Sequence, residues 1–283
     1  MPPQVWTAFR STFMKVIILP HDQAVAKYAY KIVMDRLSNG INTIGLPCGR
    51  TPLPLYEEIA NGFKRGELDF SGVSIFSQTE FLCMEGTEQG SCRQFLEDHI
   101  FCFVNINPDN VHHLDGVTDD HVRECQYYED DIEYLGGIKF QVLALGRNGQ
   151  IAFNEPGVSL SSRTGLAPLS VETMAEYKPF FPSDIRCPKY ALSMGIGTIM
   201  EADECLIIAT GEEMADAVAA TIEGPVSASC PASALQYHTN CVIVIDEAAA
   251  QNLRYANFYK ATMDAEDRAI AELTAYRNDA GIE

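Results

Sequence analysis

Three side chains able to handle protons and hydroxyl groups stand together in one glycine-rich stretch: Asn148, Gln150 and Glu155, within Leu145-Gly146-Arg147-Asn148-Gly149-Gln150-Ile151-Ala152-Phe153-Asn154-Glu155-Pro156-Gly157. Two amides and a carboxylate can hydrogen-bond a polar ligand from several sides, and the carboxylate can also serve as acid or base. A second stretch, Ile44-Gly45-Leu46-Pro47-Cys48-Gly49-Arg50-Thr51-Pro52, suits an anion. Thr51 is placed to cap a helix and Pro52 to open it, so the free N–H groups of the first turn face the loop. Arg50 adds a guanidinium that can grip a phosphate through two hydrogen bonds, or pair with Glu80 or Glu155 in an empty pocket.

Both stretches need a scaffold that brings strand ends together. The apolar run before each loop reads as a buried parallel strand, and open α/β sheets keep their ligand crevices at the carboxyl ends of such strands. Strand candidates are Val16–Leu19, Ile41–Leu46, Val73–Ser77, Phe140–Leu145, Glu204–Thr210 and Val242–Asp246. Amphipathic stretches lie between them, among them Ala24–Leu37, Pro52–Arg65 and Glu212–Glu223. This alternation predicts an α/β fold, a mostly parallel sheet with helices on both faces, in a single domain over residues 14–283. Residues 1–13 read as an extension before a first strand at Met14-Lys15. The segment Gly157–Lys189 is the least regular and carries four prolines, which suits a lid or excursion near the site. Glu247–Tyr276 reads as helix.

The bulk composition narrows the partners. A formal net charge of −19 over 283 residues argues against nucleic acid and anionic membrane surfaces, both of which need a basic footprint. No apolar run approaches the ~20 residues that span a bilayer. Nine cysteines at wide spacings, without a CxxC pair, read as free thiols of a cytoplasmic protein rather than a disulfide framework or zinc site. His112-His113 reads as a surface loop, Glu129-Asp130-Asp131 as a solvated helix face, and His238 as structural.

The second loop closely resembles the catalytic signature of glucosamine-6-phosphate deaminases/isomerases, Gly-x-Gly-x-Asp/Asn-Gly-His-Ile-x-Phe-Asn-Glu-Pro, within the broader glucosamine-6-phosphate isomerase/6-phosphogluconolactonase superfamily. Gly45, Cys48, Gly49, Arg50 and Thr51 resemble that family's phosphate loop, with Cys48 and Arg50 in place of Thr and Ser. Ser161-Ser162-Arg163-Thr164, Pro188–Thr198 and Leu235-Gln236-Tyr237-His238 carry the likeness along the chain. The resemblance implies a Rossmann-like fold, a small-molecule sugar phosphate as ligand, and isomerisation of an open-chain aldose with loss of the C2 amine as ammonia. It implies neither metal nor organic cofactor. It also implies assembly of copies, a hexamer built from trimers in much of the family and a monomer in some members.

The carry-over is uneven. The family's ring-opening histidine is Gln150, and its proton-abstracting Asp aligns with Thr79 in Ser77-Gln78-Thr79-Glu80-Phe81. The phosphate-binding Arg and Lys align with Pro179 and Met214, leaving Lys178 as a shifted replacement. The basic allosteric residues are Gly165 and Ala167. Two readings follow: a deaminase/isomerase in which Glu155 and Glu80 titrate, and a catalytically impaired relative that binds a sugar phosphate or serves as a partner subunit. A lactonase is disfavoured, because it too would need the histidine that Gln150 replaces.

Overall fold

The apolar runs become strands of a parallel sheet in the computed structural model, which describes residues 14–183, 185 and 187–263. Lys15–Leu19 (β1) leads to Asp22–Ser38 (α1), Thr43–Leu46 (β2) to Leu53–Lys64 (α2), and Ser74–Ser77 (β3) through Gln78 to Thr79–Phe81 (β4). Cys92–His99 (α3), Val111–His112 (β5) and His121–Tyr134 (α4) precede Phe140–Ala144 (β6). Gly165–Pro168 (β7), Val171–Tyr177 (α5), Tyr190–Ser193 (β8) and Ile196–Met200 (α6) follow. Cys205–Ala209 (β9), Ala215–Ile222 (α7), Cys241–Asp246 (β10) and Ala256–Thr262 (α8) close the described chain.

Seven strands pair in parallel in the order β1-β10-β9-β6-β2-β3-β5. Alternate residues serve opposite faces. Val142, Leu206 and Val244 pack with side chains of α1, α2 and α3, while Leu143, Ile207 and Ile243 pack with those of α4, α6 and α7. Each such side chain, fully withdrawn from water, contributes roughly 1.5–3 kcal/mol. From β2 the chain runs outward through β3 to β5, then returns to β6 on the other side of β2 and runs outward again through β9 and β10. The reversal lies between β2 and β6, and the crevice at such a switch point opens at the carboxyl ends of the two strands.

Four strands escape the sequence reading. β5 is a two-residue edge strand, so His112 is not on a surface loop: its ring stacks on Phe76 with centroids 4.3 Å apart, and Nδ1 meets Asp131 at 3.2 Å. The others form a small antiparallel sheet in the order β4-β8-β7, in which Thr79 and Gly165 both stand opposite Ser193. The excursion after the second loop supplies β7, α5 and β8.

Other local expectations change. Pro52, not Thr51, occupies the cap position of α2, and no side chain caps that end. Residues 247–254 form turns rather than helix, the latter starting at Ala256. The remainder of that expected helix beyond 263, and the 1–13 extension, lie outside the described residues. Cys48 and Cys92 are paired as a disulfide, with Cα atoms 5.5 Å apart, while the other seven cysteines are free. Glu129 is not solvated: it accepts from Thr164 N at 2.8 Å and Thr198 Oγ1 at 2.6 Å and pairs with Arg163, tying α4 to the segments before β7 and β9. No helix among the described residues is long and apolar enough to cross a membrane.

Candidate active site

Because β2 and β6 are neighbours (Gly45 opposite Gln141), the loops that leave them emerge side by side. The first loop (Pro47 to Thr51), Gln78 and Thr79, the start of the second loop with Gln150 and Ala152, and Glu176 and Tyr177 of α5 line one open cleft. Gly45 does not reach it. A Cβ there would stand 2.2 Å from Gln141 Oε1, so this glycine serves strand packing. Gly49, in contrast, takes φ +125° at the turn of the loop, a conformation costly for any other residue. Tyr56 Oη donates to Pro47 O at 2.5 Å and Tyr177 Oη to Cys48 O at 3.2 Å, which fixes the loop from below and above. Arg50 is exposed at the mouth, its guanidinium 5.7 Å from the Phe180 ring centroid. Among the described residues it forms no ion pair with Glu80 or Glu155.

Two of the departures from the family pattern touch each other. Thr79 Oγ1 lies 3.3 Å from Cys48 Sγ and 3.2 Å from Cys92 Sγ, so the hydroxyl faces the sulphur pair. Glu80, the next residue along the strand, points elsewhere. Its carboxylate accepts from the backbone N–H groups of Phe81 (2.8 Å), Cys92 (3.0 Å) and Arg93 (3.0 Å) and from Ser91 Oγ (2.9 Å). Burial pushes this carboxyl upward and the four donors pull it back. Glu80 thus satisfies the free amides at the start of α3 and is not among the residues lining the cavity.

In the second loop Gly149 holds φ +83°, and a Cβ there would meet Cys230 Sγ at 2.6 Å. The turn folds Asn148 back on the loop. Its Nδ2 donates to Glu155 Oε2 at 2.7 Å and its Oδ1 accepts from Gln150 N at 3.0 Å. Gln150 is buried, with its amide nitrogen directed at Thr173 Oγ1 (3.1 Å) and at both Glu155 oxygens (3.2 and 3.0 Å), the orientation that satisfies every partner. Ser170 N donates to Glu155 Oε1 at 2.8 Å. Asn148, Gln150 and Glu155, singled out in the sequence, therefore form one connected network. Ala152 sits at φ +50°, a left-handed conformation uncommon outside glycine and of the kind stored at functional sites.

Lys178 stays apart. Its ammonium donates to Pro182 O at 3.2 Å and to Ile185 O, within the turn that follows α5. Two residues that sequence reasoning missed are in the cavity. Gln78 is buried and donates to Val142 O, while its Oε1 has no partner among the described residues. Glu176 belongs to the irregular segment; burial raises its carboxyl, against the opposing pull of Arg147 and Arg50. The capping residue Ser170, which accepts from Thr173 N at 3.1 Å, was a signal for a helix there. Nothing local says where that helix ends up. No group of three or more metal-ligating side chains occurs among the described residues.

Comparison with known proteins points one way. The family described as glucosamine-6-phosphate isomerases/6-phosphogluconolactonase matches residues 21–244. The glucosamine-6-phosphate deaminase of Shewanella woodyi is 40% identical over 261 residues, covering 92% of this chain and 99% of that protein. The corresponding protein of Arthrobacter sp. is 40% identical over 255 residues, 89% and 97% of the two chains. A solved monomeric glucosamine-6-phosphate deaminase matches with a TM-score of 0.82 at 32% identity, over 84% of this chain and 100% of its own. A 6-phosphogluconolactonase from Trypanosoma cruzi, at 19% identity and a TM-score of 0.68 over 86% and 98% of the chains, shares the fold.

Proposed function

The chain belongs to the family of glucosamine-6-phosphate isomerases and 6-phosphogluconolactonases, and from that premise we propose that it is an amino-sugar phosphate isomerase/deaminase. The reaction converts glucosamine 6-phosphate and water to fructose 6-phosphate and ammonia. One observation carries this reading: the two glycine loops converge on a single polar cavity in a chain 40% identical, over 92% of its length, to a deaminase.

In this proposal Gly49, Arg50 and Thr51 hold the phosphate, with Cys48 shaping the turn. Arg50 supplies positive potential that Pro179 and Met214 do not. The unpartnered Oε1 of Gln78 accepts from a sugar hydroxyl. Gln150 stands where a histidine would open the ring and can only hydrogen-bond, so Glu155 and Asn148 orient it rather than tune a titrating group. Glu80 supports the site by fixing α3. Lys178 is reserved for the turn after α5. Seven free thiols support a cytoplasmic setting.

A second reading, a family member that binds a sugar phosphate without turning it over, is favoured by Thr79 and Gln150. Loss of two acid–base groups is worth roughly 10²–10⁴-fold each. Ammonia and fructose 6-phosphate are to be measured with glucosamine 6-phosphate as substrate. Turnover on the order of 1 s⁻¹ or faster supports the enzyme. Tight binding without either product overturns it in favour of the second reading.

A further inference from the structure

We propose that Glu176 is the residue that moves the substrate's C2 proton, an inference that rests on the isomerase/deaminase reading. Few of the groups lining the cavity can exchange a proton. Cys48 is paired with Cys92. Tyr177 is used at the Cys48 carbonyl, and burial holds its phenol far above neutrality. The Arg50 guanidinium offers hydrogen-bond donors only. Thr79 cannot act as a base. Outside the lining, Glu80 is occupied by four donors, and Glu155 by Asn148, Gln150 and Ser170. Glu176 is the one carboxylate among the described residues lining the cavity.

Its placement is fixed from both sides. The helix that carries it begins at Ser170, whose N–H binds Glu155 of the second loop, and ends at Tyr177, whose hydroxyl binds the first loop. Glu176 is thereby held between the loop assigned to phosphate and the loop assigned to ring opening. The charged groups acting on it are Arg50 from the first loop, Arg147 and Glu155 from the second, and Glu213 after β9. Burial and the two carboxylates favour its protonated form, and the two guanidiniums favour the carboxylate. A proton carrier needs both forms within reach near neutrality.

The step balances without an oxidant. The Glu176 carboxylate takes the C2 proton of the open-chain aldose. The C–H electron pair becomes the C1=C2 double bond, and O1 takes a proton from water. The Glu176 carboxylic acid then returns its proton to C1, leaving a C2 iminium. The hydroxide left by that water adds to C2, the hydroxyl proton of the resulting carbinolamine passes to nitrogen, the C2–N bond breaks, and ammonia departs from the ketose.

The test compares wild-type protein with E176Q, E176D and E172Q, the last an exposed control on the same helix. Ammonia release is measured across pH. For E176Q, kcat falls about 10²–10⁴-fold with little change in KM. The wild-type acid limb, which exists because only the ionised form accepts the proton and which burial shifts above the ordinary carboxylate range, disappears. E176D keeps that limb at reduced kcat, and E172Q stays within about twofold of wild type. Substrate deuterated at C2 further separates a carrier from a structural residue. Wild type delivers part of the deuterium to C1 of the product, and an exchange with solvent that is complete in both proteins counts against the role. If wild type turns over and E176Q matches it, the role of Glu176 is overturned while the enzyme reading stands. If wild type releases no ammonia at all, the enzyme reading falls and takes this role with it.

Discussion

At the scale of single residues, the substitutions in the two loops are not interchangeable. Gln150 sits in a polar network whose other members, Asn148, Glu155 and Thr173, suit an imidazole as well as an amide. Q150H is therefore expected to fold normally and to raise ammonia release by about 10-fold or more, a gain read directly in kcat. Thr79 offers no such opening. Its hydroxyl is buried against two sulphurs, and T79D would place a carboxylate there without a donor. That variant is expected to lose about 3 kcal/mol or more, measured by urea unfolding, so the pair Q150H/T79D should not outperform Q150H alone. Arg50 is exposed and forms no ion pair among the described residues, so R50M should leave stability within about 0.5 kcal/mol. Its effect belongs in KM for the phosphorylated sugar, raised about 10-fold or more if the guanidinium grips phosphate. An unchanged KM places the phosphate elsewhere.

At the scale of elements, carboxylates turned inward do much of the joining. Glu80 ties β4 to the start of α3, and Arg36 of α1 reaches the buried Glu204 beside β9 with a two-point contact at 2.6 and 2.9 Å. Glu129 links α4 to Thr164 and Thr198. Burial raises the Glu129 carboxyl, but the hydrogen bonds from Thr164 and Thr198 and the charge of Arg163 outweigh this and hold it below the usual range. A carboxyl lowered on folding adds stability above its unfolded-state pKa and loses it as pH falls through the lower, folded value. E129Q should thus show a flatter fall in stability below about pH 5 than wild type, as followed by thermal unfolding across pH; parallel curves would remove Glu129 from that role. The long elements of this scaffold were legible in the sequence because each carries a continuous apolar run or a helical stripe. β4, β5, β7 and β8 were not. They are two to four residues long, and one contains Pro168, so no period can register.

At the scale of the whole molecule, the Cys48–Cys92 pair closes a loop of sequence separation 44 between the first glycine loop and α3. The chain-entropy argument puts its contribution at about 4 kcal/mol at most. Adding a thiol reductant should lower the urea midpoint of the wild type and leave that of C92S unmoved; equal midpoints with and without reductant would show that the pair adds nothing. The wide, unpatterned cysteine spacing could not reveal this contact, because it joins positions far apart in sequence through the approach of the β2 loop to α3. The same distinction runs through the site. The sequence by itself determined the parallel sheet, the two glycine loops and the family, since these rest on local periodicity, on glycine's backbone freedom and on contiguous motifs. Only the tertiary structure decided that Gly45 packs a strand, that Glu80 and Lys178 turn away, and that Glu176 enters the cavity. A side chain's direction and its partners are set by elements distant in sequence, and no local pattern encodes which carboxylate will face the cavity.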